Sequence, residues 1–116
     1  MKLLVGGELK PIDLIRLKDY EIDAIVNSFK KYFGENDHLW IFGSRVNLDL
    51  RGGDIDLYVE TEILQAESII SKKSKFVVEL YDQLGEQKID IVINMLKSNV
   101  RLPIYEVARK TGVLLV

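Results

Sequence analysis

Leu39-Trp40-Ile41-Phe42-Gly43-Ser44 and, after the nine residues Arg45 to Gly53, Asp54-Ile55-Asp56-Leu57-Tyr58-Val59 together decide how this chain is read. The first four residues are apolar and aromatic-rich, short, and bounded by small residues, which reads as a buried strand. A glycine-serine turn directly after it lets backbone amides approach an anion, and the Ser44 hydroxyl adds a donor. The second run reads as a strand from Asp54 to Val59. Alternation puts Asp54, Asp56 and Tyr58 on one face and Ile55, Leu57 and Val59 on the other. The two carboxylates then start about 6.6 Å apart, at roughly 3.3 Å per residue, and both can lean toward one cation. Each part alone is weak: Gly-Ser dipeptides are common, and an Asp-x-Asp pair also fits a solvent-facing edge strand.

Asp90 adds weight. It interrupts the apolar run Ile89-Asp90-Ile91-Val92-Ile93 inside a third strand from Lys88 to Ile93, where β-propensity disfavours Asp and burial disfavours its charge. It therefore needs a partner. Lys88 is the salt-bridge reading. The other is that this strand lies beside the Asp54 strand, so that three carboxylates repel one another until a divalent cation binds.

Working outward, a helix is expected from Asp19 to Phe33, with Ile22, Ile25, Val26, Phe29 and Phe33 at three- and four-residue spacing. Asp19 is its expected cap and Gly34 its left-handed end. A longer helical stretch is expected from a Thr61 cap to Leu84, with Ile63, Ala66, Ile70, Val77, Leu80, Tyr81 and Leu84 on one stripe and a break near Ser71–Ser74. A last helix starts with Pro103 at its first position, carries Arg109 and Lys110 in its final turn, and ends at Gly112. Trp40 and Phe42 are expected in the core. The tail Val113–Val116 packs back on the sheet or meets a partner, and the first seventeen residues give no clear element. The order helix, strand, strand, helix, strand, helix makes one α/β (α+β) domain over 1–116, a small mixed sheet with helices packed against it.

Composition narrows the chemistry. The 116 residues contain no cysteine and one histidine, His38, so thiolate and multi-imidazole metal sites are excluded and a metal must take oxygen ligands, as magnesium or manganese do. Net charge is −2, and the tightest basic cluster, Lys72-Lys73-Ser74-Lys75, reads as a solvated helix face, so nucleic acid is not an expected partner. No secretory signal and no spanning run are visible, so a cytoplasmic location is expected.

Taken together, the segments Trp40 to Arg45, Arg51-Gly52-Gly53-Asp54-Ile55-Asp56-Leu57 and Lys88 to Ile93 resemble the DNA polymerase β-like nucleotidyltransferase superfamily, most closely its minimal nucleotidyltransferases. The resemblance spans about residues 20–112. It implies that Gly43 and Ser44, with Arg45 placed to touch phosphate, bind the triphosphate of ATP or another NTP. It implies that Asp54, Asp56 and Asp90 hold two Mg2+ ions, for which Mn2+ substitutes, and that Arg51 is a further phosphate candidate. The implied reaction moves AMP from ATP onto an acceptor with release of pyrophosphate. Minimal nucleotidyltransferases typically lack a substrate-binding domain and pair with small helical HEPN-type proteins in toxin–antitoxin modules. The implied role is therefore an antitoxin that adenylylates a hydroxyl of its partner toxin, within a homodimer or hetero-oligomer. The antitoxin branch usually has one residue more between Gly-Ser and Asp-x-Asp. Two other readings stay open: a non-catalytic antitoxin that only occludes its partner, and a transferase with a small-molecule or RNA-end acceptor. Tyr58 and Tyr105 are candidates for stacking on the base.

Overall fold

The computed structural model describes residues 2–5, 8–11, 15–46 and 53–116. Among these, six strands form one sheet in the order β2-β1-β6-β3-β4-β5. They are β1 (Lys2–Val5), β2 (Glu8–Pro11), β3 (His38–Phe42), β4 (Ile55–Thr61), β5 (Ile89–Met95) and β6 (Val113–Leu114). The helices are α1 (Asp19–Tyr32), α2 (Ala66–Leu84) and α3 (Pro103–Thr111). The fold is thus a mixed α/β arrangement: β4 and β5 run parallel, and the other neighbours are antiparallel. A parallel pair needs a crossover long enough to return the chain to the same end of the sheet, and α2 supplies it.

Strand alternation divides the core. Leu39, Ile41, Ile55, Leu57, Val59, Ile89 and Ile91 face α1 and α2, where they meet Ile22, Ile25 and Phe29 from α1 and Ile69, Phe76, Leu80 and Leu84 from α2. Phe76 is the hinge of that packing, with its ring edge-on to Phe29 at 6.2 Å and to Phe33 at 5.9 Å. The opposite face carries Trp40, Phe42 and Tyr58 beneath Ala108 of α3. Trp40 and Phe42 are core residues, as expected. Because α3 is short, it leaves part of this second face uncovered, and Asp56 and Asp90 stand there.

Several local expectations are corrected. Lys18, not Asp19, is the N-cap of α1; Glu21 Oε1 accepts the Lys18 N–H at 3.0 Å. The helix closes at Phe33, whose N–H reaches Phe29 O at 2.9 Å. Gly34 is not left-handed; its N–H instead goes to Asp37 Oδ2 at 2.8 Å. Thr61 is the last residue of β4, and Gln65 is the N-cap of α2. Thr61 Oγ1 accepts from Ile63 N in the connection instead. α2 runs through Ser71–Ser74 without interruption, and its buried stripe is set by Ile69 and Phe76, so Ile70 and Tyr81 point outward at 66% and 43% exposure. Ala66 is likewise exposed. Of the lysine cluster, Lys73 and Lys75 are exposed, while half-buried Lys72 donates to Tyr32 O at 2.9 Å. The last helix has Pro103 at its start and Gly112 as C-cap. The tail packs back on the sheet, as β6 between β1 and β3.

Candidate active site

The sheet gathers the three aspartates by register. Phe42, the last residue of β3, lies opposite Asp56 of β4, and Asp56 lies opposite Asp90 of β5. Asp54 precedes β4 by one residue and falls on the same face. Asp90 is exposed because β5 is an edge strand, so the burial expected for it is not found. Its neighbours Ile89 and Ile91 are buried on the opposite face, toward α2.

The glycine-serine turn is built against these carboxylates. Gly43 opens a short 3-10 turn through Val46 and has φ 74°, a backbone region that L side chains avoid. A Cβ there would collide with Asp56 Oδ2 and lie 3.2 Å from Asp56 Cγ. Gly53, also left-handed at φ 90°, packs its Cα against Ser44, whose Cβ would stand 3.0 Å from any Cβ added there. Ser44 Oγ in turn donates to Asp54 O at 3.3 Å. Two glycines thus allow turn and carboxylate strand to touch: Gly43 against Asp56, Gly53 against Ser44. Gly53 was visible in the sequence only as part of a Gly-Gly pair before Asp54.

Charge in the site is unbalanced. Burial, followed by the charges of Asp90 and Asp54, pushes the Asp56 carboxyl above its ordinary 3.8, and Lys88 opposes the shift. Lys88 Nζ stands 3.5 Å from Asp54 Oδ2, so the lysine considered for Asp90 pairs with Asp54 instead. Among the described residues no group of three or more acidic or histidine side chains is gathered closely enough to hold a metal ion as it stands. The donor chemistry is nevertheless that of a hard-cation site: Asp54, Asp56 and Asp90 share one sheet face, the charges of Asp90 and Asp54 weigh on Asp56, and the Lys88 ammonium opposes them. A cleft of about 520 Å³ is lined by Tyr81, Gly85, Glu86, Gln87 and Lys88; it shares Lys88 with this group but none of the three aspartates.

Arg45 is turned to another task. Its Nη1 donates to Arg16 O at 2.9 Å and its Nη2 to Gln87 Oε1 at 3.3 Å. Arg16 answers with Nη2 to Ser44 O at 2.6 Å, and its own N–H reaches Arg45 O at 2.7 Å. Gln87 Nε2 continues the chain to Glu21 Oε2 at 3.0 Å. Burial opposes the ionised form of Glu21, but the Lys18 N–H, the Gln87 amide and the Arg45 charge outweigh it and hold its pKa below the ordinary range. Arg45 therefore braces the turn from behind rather than joining the aspartates. Neither Arg16 nor Gln87 had a sequence signal, because both act through contacts distant in the chain. Arg51 lies outside the described residues. Tyr58 and Tyr105 stack on each other at 5.8 Å, and Tyr58 is 1% exposed, so Tyr58 offers no open ring face.

No family model matches the chain, and no curated protein matches it. No helix among the described residues is long and apolar enough to cross a membrane.

Proposed function

We propose that this chain is a magnesium-dependent nucleotidyltransferase of the polymerase β-like type, and that it moves AMP from ATP onto a hydroxyl of a small helical HEPN-type partner. One observation carries the reading: Asp56 is in register with Asp90 on one side and in contact with the left-handed Gly43 turn on the other. A triphosphate site and a carboxylate set are useful to each other only at such range.

The residues then divide the work. The turn at Gly43 and Ser44 presents backbone and hydroxyl donors to the triphosphate, and Arg16, Arg45 and Gln87 hold that turn in place. Asp54, Asp56 and Asp90 would hold the magnesium. When bound, that ion supplies charge neutralisation on the triphosphate and a lowered pKa at the attacking oxygen. The acceptor oxygen forms its bond to the α-phosphorus as the bond to the pyrophosphate oxygen breaks; pyrophosphate leaves, and the hydroxyl proton passes to the Asp90 carboxylate or to solvent. Asp90, the most exposed carboxylate, sits on the side open to an acceptor. Positioning and electrostatics do most of the catalytic work in such transfers.

The test uses α-labelled ATP and magnesium, with the protein alone and with its co-encoded neighbour, beside an Asp54→Asn/Asp56→Asn variant. Label on the neighbour that is absent with the variant supports the reading. A tight complex without transfer points to an occluding antitoxin, and label on an RNA end or an aminoglycoside in a parallel screen points to a different acceptor.

A further inference from the structure

Exposed apolar side chains gather on α3 and in the segment that leads into it. Ten large hydrophobic side chains stand exposed among the described residues, and five of them, Leu96, Val100, Leu102, Ile104 and Val107, fall between positions 96 and 107. Leu102 is the N-cap of α3, and Ile104 and Val107 lie three apart on the helix, where side chains are neighbours on one face. Tyr105 and Ala108 turn the other way and pack with Trp40, Phe42 and Tyr58. Leu102 and Val107 are 48% and 49% exposed. Single exposed hydrophobics need no explanation, but a run of them does.

The place of this surface gives it a use. α3 lies on the sheet face that carries the aspartates. Its C-cap, Gly112, packs so closely on β3 that an added Cβ would stand 3.2 Å from the Phe42 Cβ, and Phe42 is opposite Asp56. Whatever sits on α3 is therefore held beside the uncovered part of that face.

The charges around the surface are nearly all of one sign. Lys97, Arg101, Arg109 and Lys110 are exposed, and Glu106 is the one acid between Leu96 and Gly112, in a chain of net charge −2. Lys110 takes up Glu106, one turn away, at 2.5 Å. Arg109 lies over the Trp40 ring, 3.5 Å from Glu60. Lys97 and Arg101 meet no carboxylate among the described residues. Arg101 directs Nη1 to the Ser98 and Val100 carbonyls at 2.9 and 2.8 Å.

This rim separates the conceivable occupants. A second copy laid on the same surface would bring like charges together, which disfavours the contact. An extended segment would find no main-chain groups to pair with, because the backbone of α3 is bonded within the helix. A helix satisfies its own backbone and can lay an apolar stripe along α3, and acidic residues beside that stripe would meet Lys97, Arg101 and Lys110. We propose that this side of α3, with Leu96, Val100 and Leu102 leading into it, docks an amphipathic helix of a partner chain whose apolar stripe is flanked by Glu or Asp. α3 has nine residues, about 13 Å at 1.5 Å each, so it engages roughly two to three turns of the partner. In so short a contact the rim charges select the partner. The docking needs no transfer chemistry and does not rest on the function proposed above.

The test is a titration followed by two-dimensional NMR on the protein labelled with nitrogen-15, watching the backbone amides of Ile104 and Val107. The probes are two helical peptides with the same leucine stripe, one flanked by Glu and the other by Lys. Saturable shifts at Ile104 and Val107 with the Glu-flanked peptide, about tenfold or more weaker with the Lys-flanked peptide and in Val107→Gln, support the proposal. Equal affinity for the two peptides, binding unchanged in Val107→Gln, shifts centred on Ile70 and Val78 of α2, or no saturable shift overturns it. Self-association in sedimentation that Val107→Gln abolishes would assign the surface to a second copy instead. Binding to phosphatidylglycerol vesicles and not to the peptides would assign it to a membrane. Val107 is half exposed, so the variant leaves the core intact, and the wild-type comparison of the two peptides decides the matter by itself.

Discussion

Replacing Gly43 by alanine tests whether the turn and the carboxylate strand truly touch. Two costs are expected. Alanine at φ 74° pays the left-handed penalty of roughly 1–2 kcal/mol. Its Cβ also falls on Asp56 Oδ2, with Asp56 Cγ at 3.2 Å and Cβ at 3.4 Å, so the carboxylate must rotate away at roughly 0.5–1.5 kcal/mol. The sum is about 1.5–3.5 kcal/mol, and at about 4 °C per kcal/mol the melting temperature falls by roughly 6–14 °C. Only the second part depends on Asp56. In a double-mutant cycle with Asp56→Ala, Gly43→Ala therefore costs about 0.5–1.5 kcal/mol less than in the wild-type background. Urea unfolding of the four proteins, with m-values compared, measures this. Additive effects within about 0.3 kcal/mol would refute the contact between turn and aspartate.

Four other perturbations have expected outcomes. Asp56→Asn stabilises the metal-free protein by roughly 0.2–1 kcal/mol, because it removes a like charge facing Asp90; thermal melts in EDTA check the sign. In parallel melts without EDTA, magnesium raises the melting temperature of the wild type and leaves Asp54→Asn/Asp56→Asn unmoved, since only a ligand that prefers the folded state stabilises it. Glu21, held below its ordinary 4.5, contributes stability above that pH and loses it as pH falls through the folded-state value, so Glu21→Gln flattens the stability–pH curve in that acid window. Phe76→Ala removes a fully buried ring packed on Phe29 and Phe33 and costs about 3–5 kcal/mol by chemical denaturation.

The parts legible from sequence were those carried by local pattern. Leu39–Phe42 reads as a strand because its neighbours in the chain bound it, and the alternation of Asp54, Ile55, Asp56 and Leu57 already assigns faces. The awkwardness of a charge in an apolar strand left two readings, a Lys88 salt bridge or a strand lying beside the Asp54 strand; the register bears out the adjacency of the strands and adds that Asp90 faces Asp56. The stated reason was incomplete, since an edge strand lets Asp90 meet water. Phase on α2 was misread because Ile70 and Tyr81 are as apolar as Ile69 and Phe76; only the sheet they pack on tells them apart. The hairpin of β1 and β2 escaped because its strands are four residues each. Arg45 was read only as a phosphate contact from its place after Ser44; its hydrogen bonds to Arg16 and Gln87 were not legible, because those partners lie 29 and 42 residues away.

The central claim is that the Gly43–Ser44 turn and the three aspartates form one triphosphate–metal site. Crystals grown with manganese and a non-hydrolysable α,β-methylene ATP test it directly, through anomalous scattering from the metal. The account predicts manganese peaks bridging Asp54, Asp56 and Asp90, triphosphate oxygens on the Gly43 and Ser44 amides, and Lys88 displaced from Asp54. Nucleotide bound elsewhere, or no manganese at the aspartates with Lys88 still on Asp54, would contradict it.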